Sequence, residues 1–336
     1  MPKSRPIPDE LGATFTVRDA ILAGVSPSRL RRDDLTAPFR GIRSASHGAV
    51  DESDDSPSAD ADHETPYDLQ ARARRSAAAL YAPRLTGTQF ISHESAAALW
   101  RAPLPLTWTD DGRIATASEL PVHVSTFGDG HLIRASGVAA HRARRRTSRF
   151  TYIDRIAVAD ADTVWVSHGH LRLIDLVALG DYFCRVWRAG FGRPEPGKAP
   201  LTTVARLQKA IDAGRRTGIT RLREAIDLIR EDAWSPKESA VRCHLIFAGL
   251  PEPSLNHDVY VDGRFLACVD LAYPELKIAI EYQSVLHHGR YSADVERLAA
   301  LRAAGWIVVE VTATLLADPS KLVDRVRRAR HARRNA

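Results

Sequence analysis

The 336-residue chain is long enough for two or three separate cores, carries a formal net charge of +6, and holds three widely spaced cysteines. It contains no apolar run of the roughly 18 residues that a spanning helix needs. The opening Met1-Pro2-Lys3-Ser4-Arg5-Pro6 has no hydrophobic segment behind it, so neither a secretory signal nor a membrane partner is expected, and the protein reads as cytoplasmic. Cys184, Cys243 and Cys268 lack any paired metal-binding spacing and read as small buried hydrophobes.

The charge is unevenly spread. Basic residues gather at Arg29-Arg31-Arg32, at Arg142 to Arg149 and in the tail from Lys321 to Arg334, and acids gather between Asp51 and Glu64. Three arginine-rich patches in one chain point to a polyanionic partner.

In chain order, the first 48 residues read as a winged helix-turn-helix. Thr16 with Asp19 three positions on caps a helix running to about Ala23, and Gly24 breaks it. Ser26-Pro27 then opens a second helix through Asp34 that carries Arg29, Arg31 and Arg32, with Phe39 to Arg43 as a wing strand. Residues 49–66, acidic and rich in Ser, Asp and Ala, read as a linker. Helices are expected over Tyr67 to Tyr81 and Ser92 to Trp100, strands over Pro121 to Ser125, His131 to Ala139 and Thr163 to Ser167, and helices again near Arg172 to Arg188 and Thr203 to Ile229. His168-Gly169-His170 reads as a turn with two exposed histidines. The function of this α+β middle region, 67–232, is not legible.

Phe15-Thr16-Val17-Arg18-Asp19-Ala20, Phe39-Arg40-Gly41-Ile42 and Ile91 to Trp100 resemble the AbiEi family of antitoxin-like proteins from phage-defence and toxin–antitoxin loci. The resemblance covers about the first third of the chain and implies a DNA-binding winged helix.

From residue 233 the pattern sharpens. Ser235-Pro236-Lys237-Glu238 begins a helix to about Ala248, and Asn256 to Val261 is a strand. Asp262-Gly263 turns into a second strand, Arg264 to Leu271, whose near-continuous apolar sequence ends on Asp270. Pro274-Glu275 turns into Leu276 to Gln283, where period-two alternation sets Lys277, Ala279, Glu281 and Gln283 on one face. A helix over Ser292 to Ala304, a strand over Trp306 to Thr312 and a helix capped by Asp318-Pro319 complete an α-β-β-β-α-β order. Acids rarely sit in apolar strands without compensation, so Asp270 and Glu281 are candidate ligands of a divalent cation.

Residues 233–336 resemble the bacterial family related to very-short-patch-repair endonucleases, of the PD-(D/E)XK superfamily. The motifs are Ser235 to Glu238, Asp270 to Pro274, Glu281-Tyr282-Gln283, His287-His288, Asp294 with Arg297, and Gly305-Trp306. The resemblance implies a restriction-endonuclease-like fold and Mg²⁺- or Mn²⁺-dependent hydrolysis of DNA phosphodiesters. Asp270 and Glu281 would be direct ligands, and Gln283 stands where the superfamily often has lysine. Glutamine cannot take a proton, which leaves His287 as the candidate base or acid. Glu238 is either a helix cap or a third ligand, and Asp294 and Arg297 either pair or serve the site. Arg29, Arg31, Arg32, Arg297, Arg327 and Arg328 are the expected nucleic-acid contacts.

The chain as a whole is thus expected to be an α/β multidomain endonuclease acting on DNA, with a homodimer left open. The alternative is a non-catalytic DNA-binding regulator or antitoxin with a degenerate nuclease domain. A sugar- or nucleotide-processing enzyme finds no glycine-rich phosphate loop and no nucleophile elbow.

Overall fold

A computed structural model describes residues 6–45, 64–191, 193–283 and 291–335. The chain forms a mixed α/β architecture in two compact units. The first gathers the described residues up to His168 together with 212–215, and the second gathers the rest from Gly169 onward. The division therefore falls at the His168-Gly169 turn, well before residue 233, and the N-terminal segment clusters with the middle region up to His168.

In the first unit, β1 (Thr14–Thr16) runs into α1 (Val17–Leu22), and β2 (Leu35–Thr36) and β3 (Ile42–Ala45) complete a small sheet of order β1-β3-β2. Thr16 caps α1 as its sequence predicts, accepting the Asp19 backbone N–H at 3.0 Å. The expected second helix is absent, and Arg29–Arg31 form one 3-10 turn. Leu30 is the one buried side chain of that turn, and a longer helix would have no apolar stripe to bury.

Next come α2 (Pro66–Tyr81), β4 (Gln89–Ile91), α3 (His93–Leu99), β5 (Val122–Phe127), β6 (Val138–Ala143), β7 (Phe150–Ile153), β8 (Ile156–Ala159) and α4 (Ala161–Ser167). The strands form a sheet of order β6-β5-β4-β8-β7. Residues Thr163 to Ser167, read from sequence as a strand, belong to α4. Asp160 caps that helix by accepting the Thr163 N–H, and Val164, Trp165 and Val166 are all buried, so an unbroken apolar run hid the helical period.

The second unit begins with α5 (Leu173–Cys184), α6 (Val204–Asp212) and α7 (Ile219–Ile226), the last two replacing one long expected helix. The break falls at Gly218, in a left-handed conformation with φ +68, where an added Cβ would strike the Gly169 backbone. Then follow α8 (Pro236–Phe247), β9 (Ser254–Val261), β10 (Arg264–Tyr273), β11 (Ile278–Tyr282), α9 (Tyr291–Ala303), β12 (Ile307–Val311), α10 (Ala313–Leu316) and α11 (Pro319–Arg334). The sheet order is β12-β11-β10-β9, an antiparallel meander closed by β12 parallel to β11.

Helices cover both faces of this sheet. Val241 and Leu245 of α8 and Leu322, Val323 and Val326 of α11 pack with Ile278, Ile280 and Val309. Leu298 and Leu301 of α9 pack with Val269, Ala272 and Ala279 on the other side. α5 is joined to α8 by a buried ion pair, Asp181 with Arg242 at 2.9 Å, which is why the helices from Gly169 onward cluster with the second sheet.

Candidate functional site

The β10–β11 ladder holds Leu271 opposite Ile280, Ala272 opposite Ala279 and Tyr273 opposite Ile278. One step beyond its last pair, the same register sets Asp270 beside Glu281. There the strands fork, and the Asp270 carboxylate takes the Tyr282 N–H at 2.8 Å in place of a backbone carbonyl. Glu281 is buried, with 2% of its surface exposed, and accepts Arg297 Nη1 of α9 at 3.0 Å.

Glu238 comes from α8. Its N–H is capped by Ser235 Oγ at 3.2 Å, and its Oε2 accepts the Trp234 N–H at 2.9 Å and Asn256 Nδ2 at 3.0 Å. The cap is realised, and the same buried carboxylate lies close enough to Asp270 to feel its charge.

Burial, reinforced by the charge of Asp270, pushes Glu238 up to about 7 and Glu281 up to about 8. Asp270 is itself raised by burial, against the Tyr282 N–H and Arg297, which favour its anion. Three carboxylates from three elements thus compete for ionisation, and one guanidinium, Arg297, is hydrogen-bonded among them. Coulomb repulsion of that kind is relieved either by protons or by a cation. Among the described residues, the set of three ligand atoms lying within 4.8 Å of one another is His93, His123 and His141 and not these acids. A shared ion at the fork would therefore need these carboxylates to rearrange.

The other expected residues fall out as follows. Gln283 continues past β11, its N–H donating to Val311 O at 2.8 Å, and alternation keeps it on the Glu281 side. Lys277 does not share that face, since it occupies a left-handed turn at φ +48 before β11 starts. His287 and His288 lie outside the described residues, as does most of the acidic stretch 49–66. Arg297 pairs with Glu281 and, more loosely, with Asp294 at 3.5 Å. Arg327 and Arg328 are exposed on α11, across the sheet from α9.

Arg29 is engaged by Asp34 through two bonds of 2.9 and 2.7 Å, leaving Arg31 and Arg32 as the exposed pair of the 3-10 turn. The arginines of the Arg142–Arg149 patch are exposed, and two of them also bond to backbone carbonyls. Arg142 binds the carbonyls of Gly128 and Gly130, and Arg146 that of Ala213. His168 is fully buried, its Nδ1 2.7 Å from Val164 O, so the reading of two exposed histidines holds for His170 alone.

Sequence reasoning missed Asn256, which is buried in a left-handed conformation at φ +44 and ties Asp232 O to Glu238. Asparagine tolerates that conformation better than most residues, but its placement within a strand has no local signature. It also missed Arg193, whose Nη2 bridges Asn256 O and Asp258 at 2.9 and 2.8 Å.

No family model matches the chain, and no solved structure matches it. Two uncharacterised proteins of Mycobacterium tuberculosis, from strains CDC 1551/Oshkosh and H37Rv, are each 34% identical to it over 122 residues. The match covers 35% of this chain and 44% of each relative, so the chain spans less than half the length of the curated relatives it matches. Among the described residues, no helix is long and apolar enough to cross a membrane.

Proposed function

We propose that the second unit is a divalent-cation-dependent DNA endonuclease of restriction-endonuclease-like fold, and that the first unit contributes DNA binding. The reading is carried by Asp270 and Glu281 side by side at the fork of β10 and β11, with Glu238 of α8 near enough to feel the charge of Asp270. The order α8-β9-β10-β11-α9-β12 is the one this nuclease core uses, and the fork lies where such a core holds its acids.

The donor set suits a hard cation, being carboxylate oxygen throughout, with the Gln283 carboxamide next along the strand. Glu238, Asp270 and Glu281 would hold Mg²⁺ or Mn²⁺, which when bound supplies neutralisation of phosphate charge and acidification of a water. The remaining work falls to the chain. The Tyr282 N–H orients Asp270, and the Trp234 N–H and Asn256 amide orient Glu238. Arg297, once released by Glu281, can meet a phosphate oxygen as a charge-assisted donor. As a ligand Glu281 would be held ionised while the cation is bound, so its raised proton affinity in the metal-free chain means that proton and cation compete there. In the first unit, Arg31 and Arg32 and the β2–β3 hairpin form the surface for duplex backbone.

A second reading, a DNA-binding regulator or antitoxin that does not cut, is favoured by the Glu281–Arg297 pair, which already neutralises one ligand, and by Gln283 in place of lysine. Incubation of supercoiled plasmid with the full chain and Mg²⁺ separates the two. The nuclease reading expects open-circle product that Asp270→Ala reduces a hundredfold or more, a loss of ~3 kcal/mol of transition-state stabilisation. Nicking that survives Asp270→Ala, or none by the parent, rejects it.

A further inference from the structure

The first unit carries a second cluster of chemistry that the nuclease reading does not use. His93 begins α3, His123 lies on β5 and His141 on β6, the edge strand of the five-stranded sheet. Parallel pairing sets Ser125 opposite His141, which brings His123 and His141 to one face of neighbouring strands. One ring nitrogen from each histidine lies within 4.8 Å of the other two, and all three residues are half-buried. The His93 and His141 rings stack with centroids 3.7 Å apart, and His123 Nδ1 is 3.0 Å from His141 Nε2. Glu94 Oε2 is 3.2 Å from His123 Nδ1.

We propose that His93, His123 and His141 form a binding site for a borderline divalent transition-metal ion, Zn²⁺ foremost, with the Glu94 carboxylate as fourth ligand. Metal–nitrogen bonds of ~2.0–2.1 Å put tetrahedral ligand atoms about 3.3 Å apart, so the 3.0 and 3.2 Å separations have the length of coordination edges. Imidazole nitrogen selects Zn²⁺, Cu²⁺, Co²⁺ or Ni²⁺ over Mg²⁺, which separates this site chemically from the carboxylates of the second unit.

One further observation supports it. His93 holds a left-handed backbone at φ +49, a conformation that persists only where the surroundings dictate it and one that clusters at ligand-binding positions. The rival account is a ladder of hydrogen-bonded neutral histidines that binds nothing. An ion would tie α3 to the edge strand β6, reinforcing the stacked rings of His93 and His141.

The test uses the full chain stripped with chelator and titrated with Co²⁺ and then with Zn²⁺. One equivalent of Co²⁺ should give the visible bands of tetrahedral coordination, Zn²⁺ should displace it, and Zn²⁺ should raise the melting temperature. His93→Ala and His141→Gln should abolish the bands and the thermal shift while keeping the metal-free far-UV spectrum. Glu94→Gln should weaken Zn²⁺ binding ~10–100-fold, and Asp270→Asn should change nothing. Absence of the Co²⁺ bands in the parent overturns the site, as does their persistence in His93→Ala.

Discussion

At the scale of single residues, the raised proton affinity of Glu281 makes a pH-dependent prediction. Its pKa stands at 4.5 in the unfolded chain and about 8 in the folded one. Folding therefore binds a proton over that interval, and the associated stability is fully present below pH ~4.5 and lost as the pH rises toward 8. Melting temperature should fall between pH 5 and 8 in the metal-free parent and fall distinctly less in Glu281→Gln, the difference corresponding to a few kcal/mol. Equal slopes for the two proteins would mean that Glu281 is ionised throughout and already compensated by Arg297. Asp270 and Glu281 were legible because an acid in an apolar strand is chemically out of place. Arg297 was legible as an i,i+3 partner of Asp294 or a site residue, but its shorter bond, to Glu281, spans 16 residues and has no local signature. The three metal-competent histidines were not legible, because they lie 30 and 18 positions apart on three elements and no local period relates them.

At the scale of elements, the junction of α5 and α8 is the most consequential packing feature. Arg242 is fully buried and binds Asp181 at 2.9 Å and Glu252 at 3.1 Å. Asp181 also accepts the Ser239 hydroxyl at 2.7 Å and the Arg230 N–H at 2.7 Å. Removing one partner strands a buried charge, so Asp181→Ala and Arg242→Ala should each destabilise the chain by about 3–5 kcal/mol in urea denaturation. The double replacement Asp181→Leu with Arg242→Met should recover much of that loss. Additive losses in the double variant would contradict the pairing. Because α8 also carries Glu238, the single variants should reduce Mg²⁺-dependent nicking as well. Elements with caps or turn dipeptides were read correctly from sequence, as with Thr16 for α1, Ser235-Pro236 for α8 and Asp262-Gly263 between β9 and β10. Two failures came despite a cap, Ser26-Pro27 before the 3-10 turn and Asp160 before α4. The 3-10 turn at Arg29–Arg31 has one apolar residue to bury, and α4 is buried on nearly every side, which erases the helical period.

At the scale of the whole molecule, the exposed basic residues, Arg31, Arg32 and the Arg142–Arg149 patch in the first unit and the outer face of α11 in the second, set the mode of DNA binding that the proposed function expects. Contacts of this kind are mainly to phosphate, so affinity should fall steeply with salt and depend little on sequence. Replacing both Arg31 and Arg32 by Ala should lower the salt slope of log K by about 1–2. An unchanged slope would remove the first unit's 3-10 turn from the interface. Arg29 is predicted to contribute little, since Asp34 already holds its guanidinium through two bonds.

The central claim is that Glu238, Asp270 and Glu281 share a divalent cation once these carboxylates rearrange. It is tested most directly by titrating Mn²⁺ into the full chain at pH 8 and following the paramagnetic resonance of the free ion. The account predicts a bound equivalent that persists in His141→Ala and vanishes in Asp270→Asn. Mn²⁺ binding indifferent to Asp270→Asn would contradict it.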